Sequence, residues 1–106
     1  ALPGDAGHAL WKRDFTGACG LFGVVLKPCS QKAVHAFLDS LKLFGLGFSW
    51  GGYESLALNC DPQLGARSIP VKLEGPLLRL HIGLESVEDL KADLRRGFDA
   101  LNAARI

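Results

Sequence analysis

The segment Leu77-Leu78-Arg79-Leu80-His81-Ile82-Gly83-Leu84-Glu85 limits what this chain can become more than any other stretch of it. Its apolar residues alternate. A strand through it sets Leu78, Leu80 and Ile82 on one face and Leu77, Arg79, His81 and Gly83 on the other. The first face needs a core to cover it. The second carries an arginine whose planar fork of donors keeps its charge, so it needs an anionic partner. Two partners meet that need. One is a carboxylate of the same chain, in a structural ion pair; the other is the carboxylate of a bound small molecule, which the fork matches with two parallel hydrogen bonds.

The flanking sequence supplies the core. The run Gly20-Leu21-Phe22-Gly23-Val24-Val25-Leu26, within Cys19 to Lys27, reads as a buried strand that Pro28 ends. Ser30 is a good N-cap, and the helix after it aligns Val34, Phe37, Leu38 and Leu41, with His35 on its flank. Residues 43–48 suggest a short strand, residues 53–59 another, and Asp61-Pro62 opens a loop that runs to Pro76. Ser86 with Asp89 resembles a capping box for a last helix whose stripe is Val87, Leu90, Leu94, Phe98 and Leu101. Gly97 inside that helix costs about 1 kcal/mol relative to alanine, which points to something packed closely against it. The first 17 residues, with Pro3, Gly4, Gly7 and Gly17, read as an irregular lead-in. The order predicts an α+β fold: a two-layer small domain over residues 18–106, its sheet mainly antiparallel and its helices on one face.

Composition narrows the function. A chain of 106 residues holds one core, and a net charge of +1 with 48% hydrophobic residues excludes a disordered segment and argues against nucleic acid as a partner. No apolar run has the length of a membrane span and no signal pattern opens the chain, so a cytoplasmic protein with no membrane partner is expected. The 3 cysteines, Cys19, Cys29 and Cys60, lack Cys-x-x-Cys spacing, and the histidines are scattered, so no metal site is expected. The absence of methionine and the loop-like opening suggest a piece of a longer protein.

Three motifs carry candidate chemistry. Gly47-Phe48-Ser49-Trp50-Gly51 has the Gly-x-Ser-x-Gly form that presents a nucleophilic serine in α/β hydrolases, but that turn needs a helix directly after the serine, and a diglycine follows here. Gly45-x-Gly47 has its third glycine misplaced for a dinucleotide site, and no helix is expected after it. Phe48-Ser49-Trp50-Gly51-Gly52-Tyr53-Glu54 together with Arg79 could instead form a pocket for a small carboxylate, Arg79 its anchor and Ser49 a further hydrogen bond. The alternative is a glycine turn whose aromatics merely cover the core.

Three blocks then resemble one family throughout. Trp11-Lys12-Arg13-Asp14-Phe15-Thr16-Gly17, Ser49-Trp50-Gly51-Gly52-Tyr53-Glu54-Ser55-Leu56 and Leu78-Arg79-Leu80-His81-Ile82-Gly83-Leu84-Glu85 are similar, in that order, to the C-terminal part of the Cys/Met-metabolism pyridoxal-phosphate enzymes. The first two blocks are most like the bacterial members that act at the β-carbon; relatives acting at the γ-carbon usually carry leucine where Trp50 stands.

The resemblance implies a fold-type I lyase, homotetrameric when complete, that splits the C–S bond of cystathionine to give homocysteine, pyruvate and ammonia. It implies that Arg79 holds the substrate α-carboxylate, that Ser49 lies beside it and that Trp50 lines the site. Such a grip would set the Cα–H bond perpendicular to the cofactor ring. The Schiff-base lysine, the aspartate on the pyridinium nitrogen and the phosphate cradle belong to the family's large domain. Lys12, Lys27, Lys32, Lys42, Lys72 and Lys91 do not stand in its lysine motif. The expectation is therefore a fragment, inactive alone and binding no pyridoxal phosphate, with residues 1–17 leading in from the large domain. Two other readings remain: a stand-alone carboxylate- or amino-acid-binding module, and a serine hydrolase using Ser49.

Overall fold

A computed structural model describes residues 1–105; residue 106, the end of the expected small domain, lies outside the described residues. The segment of alternating apolar residues forms β4 (Leu77–His81), which takes a central place in a four-stranded sheet. On one side it pairs antiparallel with β1 (Leu21–Val25), Arg79 opposite Gly23; on the other it pairs antiparallel with β3 (Leu56–Asn59), Arg79 opposite Leu58. The short strand β2 (Gly45–Leu46) completes the order β1-β4-β3-β2. Loop 47–55 carries the chain back to the starting end of β2, so β3 runs parallel to it and the mainly antiparallel sheet is mixed.

Two helices cover the Leu78–Leu80 face. They are α2 (Gln31–Ser40) and α4 (Val87–Ala104), whose Phe37 and Phe98 rings meet at 4.8 Å between centroids. Ala33, Val34, Phe37 and Leu38 of α2 pack with Leu78, Leu80, Ala57, Leu90 and Leu101, and Ile82 extends that face as the alternation requires. Ser30 caps α2 through its hydroxyl, which accepts from Ala33 N–H at 3.2 Å.

Several elements depart from the sequence expectation. The lead-in contains a helix, α1 (His8–Asp14), which buries nothing among the described residues. The Leu21–Val25 strand is an edge strand, with Phe22 and Val25 each more than 40% exposed, because the described residues place no element beyond it. A short helix, α3 (Asp61–Leu64), starts the expected loop with Pro62 in its first turn. Ser86 stands at the N-cap of α4, yet its hydroxyl takes no cap hydrogen bond. The buried face of α4 is Leu90, Asp93, Gly97 and Leu101, leaving Val87 60% and Phe98 38% exposed. Gly97 turns the helix that way. A Cβ there would stand 2.8 Å from the Phe37 ring, so only the bare backbone lets the two helices close to this distance.

Candidate functional site

Every second residue from Arg79 to Glu85 is joined to the same loop. The alternation that hides Leu78, Leu80 and Ile82 turns Arg79, His81, Gly83 and Glu85 the other way, toward residues 48–55. Arg79 donates from Nη2 to the carbonyls of Phe48, at 2.5 Å, and Ser49, at 3.2 Å. His81 takes the turn after it: Gly51 N–H donates to Nδ1 at 3.4 Å, and Nε2 lies 2.9 Å from the Gly52 carbonyl. Gly51 is at φ 82°, the left-handed region that favours glycine. Leu84 N–H reaches the Tyr53 carbonyl at 2.8 Å. Gly83 lies so close that a Cβ would overlap that carbonyl.

Ser55 ends the loop. Fully buried, it accepts from Gly83 N–H at 2.8 Å and donates from its hydroxyl to Glu85 at 2.8 Å. Glu85 also accepts from Ser55 N–H at 3.1 Å. That N–H, the backbone N–H of Glu85 itself and the Ser55 hydroxyl hold the Glu85 carboxyl below its usual range. The loop is thus held by polar contacts to β4 and the turn after it. Its own aromatics, Phe48, Trp50 and Tyr53, are each more than 60% exposed.

The structure brings Arg79 and Ser49 together, though through the Ser49 carbonyl; the Ser49 hydroxyl makes no hydrogen bond among the described residues. Trp50 lies in the same loop, lining an open cleft of about 300 Å³ with Phe48, Ser49, Tyr53 and Glu54. Arg79 is not among the residues that line that cleft; it holds the loop by the Phe48 and Ser49 carbonyls. No carboxylate among the described residues pairs with Arg79, so the structural ion pair is not formed there and the remaining fork donors face no protein acceptor. Charge and motif leave His81, Glu85 and Ser55 out of the site. The signal that finds them is the strand period carried past Leu84.

Other chemistry finds no support here. No helix of the described residues directly follows Ser49, and both His81 nitrogens are engaged by loop backbone, so the hydrolase turn and its histidine base find no support among those residues. No group of histidine, cysteine or acidic residues among the described residues could hold a metal. No helix of the described residues is long and apolar enough to cross a membrane. A lysine that carries pyridoxal phosphate is activated by burial or a neighbouring cation, whereas Lys12, Lys27, Lys32, Lys42, Lys72 and Lys91 are all exposed. The described residues therefore do not build a site for that cofactor.

Comparison with known proteins shows the family. The profile of the family described as Cys/Met metabolism PLP-dependent enzyme matches residues 1–99. Cystathionine beta-lyase of Salmonella typhimurium is 53% identical over 102 residues, covering 92% of this chain and 26% of that protein. The Escherichia coli cystathionine beta-lyase is 51% identical over 102 residues, with the same coverage of 92% and 26%. A crystal structure of cystathionine gamma synthase from Xanthomonas oryzae pv. oryzae, in complex with aminoacrylate and cysteine, superposes with a TM-score of 0.80 at 36% identity, over 97% of this chain and 28% of that one. The chain thus spans about a quarter of the length of the relatives it matches. With a profile match over nearly its whole length and a mixed sheet superposing on a family enzyme, the chain belongs to the Cys/Met metabolism PLP-dependent enzymes.

Proposed function

We propose that this chain is the substrate-side, C-terminal part of a cytoplasmic cystathionine β-lyase of sulfur amino-acid metabolism, with Arg79 as the seat of the substrate α-carboxylate. The observation that carries the reading is the Arg79 guanidinium, fixed on the carbonyls of Phe48 and Ser49 with no protein carboxylate opposite it among the described residues. A fork oriented by one edge offers its remaining donors to a carboxylate in two parallel hydrogen bonds. Ser49 and Trp50, on the loop whose start Arg79 holds, are the residues assigned to the border of the bound amino acid in this reading. The β-lyase names of the bacterial relatives support C–S cleavage at the β-carbon, giving homocysteine, pyruvate and ammonia.

The cofactor and its lysine then come from a large domain outside this chain, in a homotetramer, and this chain alone is inactive. A chimera in which the chain replaces the matching quarter of the Salmonella enzyme tests the reading. Pyruvate release from cystathionine is expected of the chimera and not of the chain alone. A chimera that folds and binds the cofactor yet releases no pyruvate contradicts it. Tight binding of cystathionine by the chain alone would favour a stand-alone amino-acid-binding module.

A further inference from the structure

The loop that presents Ser49 and Trp50 has little of its own to hold it in place. Residues 48–54 are all exposed, Gly51 and Gly52 stand together at its turn, and a Cβ at either would meet nothing within 4 Å. Apolar packing therefore does not set its path. Arg79 grips its start at Phe48 and Ser49, and Ser55 fastens its end to Glu85. Between these points the diglycine turn meets one buried side chain, His81, which is 7% exposed. An imidazole so placed needs partners for both ring nitrogens, and it finds both on consecutive residues of the turn.

The two contacts differ in kind. Gly51 N–H is a donor, so Nδ1 must accept; the Gly52 carbonyl is an acceptor, so Nε2 must carry the proton. Only the neutral ring protonated at Nε2 answers both. The tautomer with its proton on Nδ1 would set donor against donor at Gly51 and acceptor against acceptor at Gly52. Arg79 and Glu85, which flank His81 on the same face, already bind the loop at Phe48, Ser49 and Ser55.

We propose that His81 is a positioning residue which, as the Nε2–H tautomer, latches the Gly51–Gly52 turn and thereby sets Ser49 and Trp50 relative to Arg79. Its value to the enzyme rests on the reading of Arg79 as the carboxylate seat; the latch itself does not.

The test uses the chain with its histidine rings labelled with ¹⁵N. Long-range proton–nitrogen spectra are expected to show His81 Nδ1 as a bare acceptor and Nε2 as protonated. A His81 ring protonated at Nδ1, or exchanging freely between tautomers, overturns the proposal without any variant being made. Variants add a second arm. His81→Gln can accept through its carbonyl and donate through its amide, whereas His81→Leu keeps the bulk and neither group. Gln is expected to keep the Gly51 and Gly52 amide resonances near wild type. Leu is expected to shift them and speed Gly51 amide exchange about 5- to 10-fold, the change that loss of one ordinary hydrogen bond brings. Equal spectra for Leu and wild type overturn the proposal. If the latch is found but Arg79→Lys in the complete enzyme slows an acid substrate and its amide equally, the carboxylate reading falls and the latch stands.

Discussion

Asp93 has no exposed surface, and a carboxylate so placed must have its lone pairs answered. It accepts from the N–H groups of Lys42, Leu43 and Phe44 at 2.8, 2.9 and 3.0 Å, and from Arg96 at 2.6 Å. It thus holds the backbone just after α2 from a position in α4, beyond the local bond from Leu41 N–H to the Leu38 carbonyl. Burial alone raises its pKa, but the hydrogen bonds from Lys42 and Phe44, Arg96 and Leu43 together outweigh that and leave it lowered. A lowered folded-state value means the carboxylate contributes stability above the unfolded value, near 3.8, and loses it as pH falls through the folded one. Asp93→Asn puts an amide N–H against the donors of the 42–44 backbone and should cost about 2–4 kcal/mol at neutral pH. Denaturant unfolding at neutral pH and at about pH 3 checks both points. The wild type should lose more stability on acidification than the variant, Glu85 contributing alike to both. Equal losses would show that Asp93 is not the carboxylate involved.

Among the elements, α4 shows where apolar counting succeeds and where it stops. The stripe of α2 is legible because Val34, Phe37 and Leu38 repeat at helical spacing and all point inward. In α4 the inward face includes Asp93 and Gly97, which such counting places outside, so Val87 and Phe98 read as core although Val87 is largely exposed and Phe98 is only partly covered. Gly97→Ala separates local preference from packing. Alanine favours the helix by about 1 kcal/mol, but its Cβ would stand 2.8 Å from a Phe37 ring that is fully buried against Phe98. The net effect should be destabilisation by about 1–3 kcal/mol in urea unfolding, and a gain in stability would contradict the packing. For β4 the alternation was enough to separate the core face from the face that meets the loop. The approach of Arg79 to Ser49 was legible in outline. Its attachment to carbonyls was not, nor were the contacts of His81, because backbone partners leave no mark in side-chain spacing.

At the scale of the whole molecule, the exposed large apolar side chains include Phe15 and Phe22 near α1 and β1, and Phe48, Trp50 and Tyr53 on the loop. The Phe15–Phe22 region, with Trp11, lines an open groove. Surfaces of this kind drive association when nothing covers them. The chain in isolation should therefore self-associate or bind a hydrophobic dye; a sharply monomeric sedimentation profile without dye binding would contradict that. In the proposed enzyme the same surfaces would meet the large domain or a neighbouring subunit, and Arg79 would read the substrate. The most direct test of that role compares Arg79→Lys with wild type in the complete enzyme, on an acid substrate and on its α-amide. Lysine keeps the charge but loses the fork, so kcat/KM for the acid should fall about 30- to 1,000-fold, or roughly 2–4 kcal/mol. The amide, a poor substrate for both proteins, should lose little further. Equal losses for acid and amide would show that Arg79 does not read the carboxylate.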